Sequence, residues 1–152
     1  MMPSENRSLD LRGWTSVLLL GFASGLPLFL TGSTLKAWMT QEGLDLKTIG
    51  LFSMVTLPYS LKVLWAPLLD RYALPVLGRR RSWMLVMQGA MAVGLAAMAL
   101  HPPHQDLLLM AVLAVGVAVA SATFDIATDA WRAEFLPQKL LGLGNSVHIT
   151  TY

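Results

Sequence analysis

The chain has 152 residues, of which 55% are apolar and 13% charged, with no cysteine and a formal net charge of +2. A soluble domain carries about a quarter charged residues, and here residues 13–35, 82–105 and 107–124 hold no Asp, Glu, Lys or Arg at all. Those figures exclude a soluble enzyme, a nucleic-acid binder and a secreted disulfide scaffold, because apolar runs of about 18 residues or more read as helices crossing a hydrocarbon core of about 30 Å at 1.5 Å per residue.

The first span is expected over 14–38. Arg7 and Arg12 precede it as they would a signal peptide. The stretch is longer than a typical signal h-region, lacks a clear cleavage site and is followed by further spans, so it reads as an uncleaved helix. It holds Gly21-x-x-x-Gly25 and then Gly25-Leu26-Pro27. Small residues four apart let helices approach closely. The alternative for Gly25 and Pro27 is a bend that lines a translocation path.

The second span is expected over 48–69, interrupted by Pro58, Pro67 and the cation Lys62. Each proline removes a backbone donor. Lys62 precedes Asp70 by eight residues, which puts it about 12 Å inside the membrane end of the helix. A cation at that depth costs about 2.5–3.5 kcal/mol on insertion scales, so it needs a cavity and a partner. The competing reading is that its long stem carries the ammonium out to the interface.

The third and fourth spans are expected over 83–100 and 107–127, joined by His101-Pro-Pro-His104-Gln-Asp106. The diproline bars a regular helical turn between the two histidines, and no third ligand is apparent, so the connection reads as a polar turn rather than a metal site. In span four, Ala111 to Ala122 alternates Val with small residues as a buried strand would; in lipid an open strand leaves backbone groups unpaired, so helix is the better reading. Asp125 and Asp129 stand four apart at its end, on one helical face. Two close carboxylates suit proton binding; equally, they suit ion pairs that fasten this end of the bundle.

From about residue 140 the chain turns apolar again and stops at Tyr152, as an incomplete fifth helix would. A part-crossing helix implies a piece of a longer protein. Orientation follows from basic residues near the span ends. Arg7, Arg12, Arg71, Arg79, Arg80, Arg81, Arg132 and Lys139 lie on one side and only Lys36 and Lys47 on the other, so the amino-terminal tail over 1–13 is expected in the cytoplasm. Nothing resembles a catalytic constellation, a metal-ligand set or a phosphate-binding loop. The fold class is therefore an all-α, polytopic membrane helical bundle of four spans plus the start of a fifth.

The connection Asp70-Arg71-…-Gly78-Arg79-Arg80-Arg81 resembles the signature loop of the major facilitator superfamily, with Ala66 in place of its first glycine and five extra residues before Gly78. With GFASGLPLFLTGSTLKAWM (21–39), DLKTIGLFS (45–53) and FDIATDAWRAEFLP (124–137), the blocks together resemble the AmpG-type muropeptide permeases of that superfamily. The resemblance implies that residues 14–152 are part of the amino-terminal domain of a secondary transporter in the bacterial inner membrane. Its family imports anhydromuropeptides by proton symport for peptidoglycan recycling, with the proton gradient and no cofactor as energy source. The signature loop holds the cytoplasmic gate, and its arginines can pair with an acidic residue at the base of helix four, where Asp125 and Asp129 lie. Implied partners are the small-molecule substrate, the lipid bilayer and the remaining helices of the full-length transporter. Two alternatives stay open: a carrier of another bulky polar solute such as acetyl-CoA or a sugar conjugate, and a non-transporting membrane assembly protein.

Overall fold

The computed structural model describes residues 11–72 and 78–152, except for the side chains of Arg12, Asp70 and Arg79. Every regular element among the described residues is helical. Three helical stretches are long and apolar enough to cross a membrane: Gly13–Gln41, Arg80–Leu100 and Leu107–Phe135.

The first stretch is α1 (Leu11–Phe29), a π turn (Leu30–Thr34) and α2 (Leu35–Gln41). It begins inside the expected tail and runs past the expected end at 38. The helix carries straight through Pro27, and the disturbance falls one turn later. There Thr31 Oγ1 donates to the Pro27 carbonyl at 2.7 Å, the side-chain back-bond that loosens helical ladders, and the chain opens into the π turn.

The expected second span is not a continuous helix. It is α3 (Leu46–Leu51), a 3-10 segment (Phe52–Thr56), α4 (Leu57–Leu61), a second 3-10 segment (Lys62–Leu64) and α5 (Ala66–Arg71). The cause is local. A proline ring collides with the carbonyl four residues back, and the residues four before Pro58 and Pro67 are Met54 and Val63, each inside one of the 3-10 segments. Irregular backbone at membrane depth is tolerated where it is buried in protein or lines a water-filled cavity.

The expected third span is α6 (Arg79–Leu100), opened by Gly78 at φ 93°, a backbone that side chains with a Cβ rarely adopt. The expected fourth is α7 (Leu107–Phe135), capped by Asp106 accepting from the Leu109 amide at 2.9 Å. It runs eight residues beyond the expected end at 127. The segment after Pro137 forms α8 (Leu141–Thr151).

α7 is the hub, packed against α1, α4, α6 and α8. Its buried face carries Ala114, Ala118 and Ala122 at helical spacing, and Gly94 of α6 lies under Val117. On the opposite side of α1, a Cβ at Gly21 would collide with Thr151 and the His148 carbonyl, and one at Gly25 with the Tyr152 backbone. The GxxxG motif is thus the bed on which α8 lies. The buried set includes Ser24, Thr31, Ser121, Thr123, Asp125, Thr128 and His148, while Leu19, Phe22, Val93 and Leu108 face outward. Polar and small residues inside with large apolar ones outside is the arrangement lipid demands.

Candidate functional site

Several buried polar residues, Ser24, Ser121 and Asp125 among them, lie in one region between α1, α4, α7 and α8. α7 presents Asp125 to it, nearly fully buried, with its backbone secured by Thr128 Oγ1 donating to the Asp125 carbonyl at 2.9 Å. The break in the second span presents Lys62, whose Nζ reaches Asp125 Oδ2 at 3.4 Å. Tyr152 OH donates to the same oxygen at 3.1 Å. One carboxylate oxygen therefore ties three segments together.

The other carboxylate oxygen, Asp125 Oδ1, has no hydrogen-bond partner among the described residues, and neither do Ser24 Oγ, Tyr59 OH or Ser121 Oγ. Ser24 nevertheless faces Asp125, and Tyr59 faces Ser121 and Thr31, without completing hydrogen bonds. Buried polar atoms are partnered in the great majority of native structures. Trp65 closes one side, its Nε1 donating to Thr123 Oγ1 at 3.2 Å.

Of the residues singled out from sequence, Lys62 and Asp125 meet directly. Asp129 does not join them. It is exposed and bound to Arg132 Nη2 at 2.8 Å. Of the two readings open for Asp125 and Asp129, ion pairs are what the geometry shows: Asp125 with Lys62, and the exposed Asp129 one turn on with Arg132. Gly25 lies buried under α8, and Pro27 is buried in the same helix.

At the end of the bundle where the basic residues cluster, Arg80 Nε and Nη2 both donate to Glu134 Oε1 at 3.2 Å. Arg132 Nε donates to Asn145 Oδ1 at 2.9 Å, and Trp83 Nε1 to the Tyr72 carbonyl at 2.9 Å. Of the loop arginines expected to pair with an acidic residue at the base of helix four, Arg80 reaches Glu134, nine residues beyond Asp125 in the same helix. Arg71, Gly78 and Arg81 are exposed. The side chains of Asp70 and Arg79 lie outside the described residues, as do residues 1–10 and 73–77. At the other end His104 Nδ1 donates to Glu42 Oε2 at 2.7 Å, so the diproline turn is tied to the connection after α2.

Sequence reasoning missed Ser24, Tyr59, Tyr152 and Glu134. Tyr59 stands three residues before Lys62, a spacing that shares a helical face, and Glu134 lies within the block 124–137. Nothing in the residues around Tyr152 signals its role.

Three apolar helical stretches of membrane-crossing length, packed together and joined by a buried ion pair, are those of a multi-pass helical membrane protein. The family model described as acetyl-coenzyme A transporter 1 matches residues 15–105, and the chain belongs to that family. It is 51% identical over 136 residues to the anhydromuropeptide permease of Escherichia coli (strain K12), which covers 90% of this chain and 28% of that protein. It is 34% identical over 139 residues to the putative transporter AmpG 4 of Rickettsia felis, covering 90% of this chain and 34% of that protein. The likeness to AmpG-type permeases read from the four sequence blocks is therefore upheld. The relatives are named permeases and transporters, which are not enzymes. The chain spans about three-tenths of the length of the curated relatives it matches.

Proposed function

We propose that this chain supplies the first helices of a proton-coupled secondary transporter of the major facilitator kind. Its cargo is anhydromuropeptide, imported across the bacterial inner membrane for peptidoglycan recycling. The amino-terminus lies in the cytoplasm, and the broken segment from Leu46 to Arg71 is the second of four spans that precede the start of a fifth.

The observation that carries this reading is the Lys62–Asp125 pair. An ionisable pair within membrane-spanning segments is costly and marks a substrate or proton pathway by default. Here Lys62 stands in one of the two 3-10 breaks of the second span, and discontinuous helices commonly surround transporter sites. Protonation of Asp125 would remove the charge that links the second span to the fourth, which is a change a rocking bundle can use. The pairing of Arg80 with Glu134 supports a cytoplasmic fastening that opens and closes with that motion. The muropeptide cargo is supported by the name of the Escherichia coli relative.

A second reading has its own support: the family model is described by acetyl-coenzyme A, so acetyl-CoA is the competing cargo. Uptake of labelled anhydromuropeptide and of labelled acetyl-CoA by vesicles bearing the full gene product, with and without a protonophore, separates the two. The favoured reading expects muropeptide uptake that the protonophore abolishes.

A further inference from the structure

We propose that Lys62 is the residue that receives an oxyanion of the cargo, a carboxylate or a phosphate, and that Asp125 holds it in reserve until its own carboxylate is neutralised. The proposal rests on the transporter reading and deepens it by naming the chemistry the cargo presents at this site.

The two partners are not equally accessible. The Lys62 side chain is 29% exposed and that of Asp125 5%. The lysine is thus the more accessible partner of the two and the carboxylate the more deeply buried. Their contact, at 3.4 Å, is longer than the roughly 2.7–2.9 Å of a full charge-assisted hydrogen bond. An ammonium has three donors, and among the described residues Lys62 spends only one of them. Two donors and a loosely held charge are available to an incoming anion.

The neighbouring charges do not compete for this role. Tyr59 of α4 and Tyr152, just after α8, are neutral acids that face Asp125. His148 of α8 lies near Lys62, Arg132 and Asp129, but it is buried against α1. Arg132 is held by Asp129 and Asn145. When a proton passes to Asp125, Lys62 loses its counter-charge. An oxyanion restores neutrality, and no covalent bond other than that to the proton changes. In the empty state Asp125 neutralises the lysine; in the loaded state the cargo does. Muropeptide stems end in carboxylates and acetyl-CoA carries phosphates, so both candidate cargoes supply the required group.

The test compares each cargo with its neutral counterpart in vesicles bearing the full gene product. One arm sets anhydromuropeptide against the same compound with its carboxylates amidated, and the other sets acetyl-CoA against acetyl-pantetheine. The wild type is expected to favour the anionic form by about tenfold or more in kcat/KM, the worth of a charged hydrogen bond. Lys62→Gln brings that ratio near one and Lys62→Arg keeps most of it. The double variant Lys62→Gln with Asp125→Asn removes the stranded buried carboxylate, and it too shows a ratio near one should Lys62→Gln alone fail to fold. An unchanged ratio in the neutralised variants overturns the proposal while leaving transport intact. Absence of uptake of either cargo by the wild type overturns the proposal together with the transporter reading.

Discussion

Lys62 and Asp125 each make sense only through the other. Removing one partner of a buried pair strands a charge, whereas removing both does not. Lys62→Gln and Asp125→Asn are therefore each expected to lower stability, and the double variant to lose less than the two losses combined, with a coupling of about 0.5–3 kcal/mol. Unfolding of the purified protein in detergent measures it, and strict additivity would contradict the pairing. A second residue-scale prediction concerns Asp45, which caps α3 outside the spans. Hydrogen bonds from the Thr48 hydroxyl at 2.6 Å and amide at 3.0 Å hold its carboxyl below the usual carboxylate range. A depressed value means that the cap's contribution is fully present above the unfolded pKa and is lost as pH falls through the folded one. Amide exchange at Thr48 should thus be slower in the wild type than in Asp45→Ala at neutral pH, and the two should converge in acid below the ordinary aspartate value of about 3.9. At this scale the sequence showed that Lys62 needed a partner, but not which one. Asp125 is 63 positions away, and only the packing of the broken second span against α7 brings them together. The orphan hydroxyls of Ser24, Tyr59 and Ser121 were equally hidden, since an isolated serine or tyrosine in an apolar run carries no periodic signal.

Among the elements, the long uninterrupted apolar runs were the most legible, because membrane thickness sets their length. Their ends were not. α7 continues to Phe135 although Asp125 and Asp129 read as its boundary; a carboxylate that finds a lysine inside the bundle no longer marks the water. The broken form of the segment from Leu46 to Arg71 was not legible, since Pro58 and Pro67 alter the hydrogen-bond ladder without changing hydropathy. The GxxxG reading bears on a direct comparison between glycines of the same stretch. A Cβ at Gly25 meets the backbone of Tyr152, whereas one at Gly32 meets nothing. Gly25→Ala should cost about 1–3 kcal/mol, as overpacking does. Gly32→Ala should be neutral or slightly stabilising, since alanine is the better helix former. Thermal unfolding of the two variants reads the contrast, and equal melting temperatures would remove the α1–α8 close approach.

The whole molecule has most of its basic residues, the Arg80–Glu134 pair and the starts of α6 and α8 at one end, and the Glu42–His104 contact at the other. The topology expects Gln41 and Gln105 outside and Tyr72 and Gln138 inside. The chain contains no cysteine, so single cysteines at these positions report without background from it. A membrane-impermeant thiol reagent on spheroplasts should label the first two and spare the others, and the reverse pattern would invert the orientation. The central claim is that cargo and proton move together. In proteoliposomes bearing the full gene product and a trapped pH indicator, with no imposed proton gradient, addition of anhydromuropeptide is predicted to acidify the lumen as cargo enters. Cargo entry without any change in lumenal pH would contradict the account.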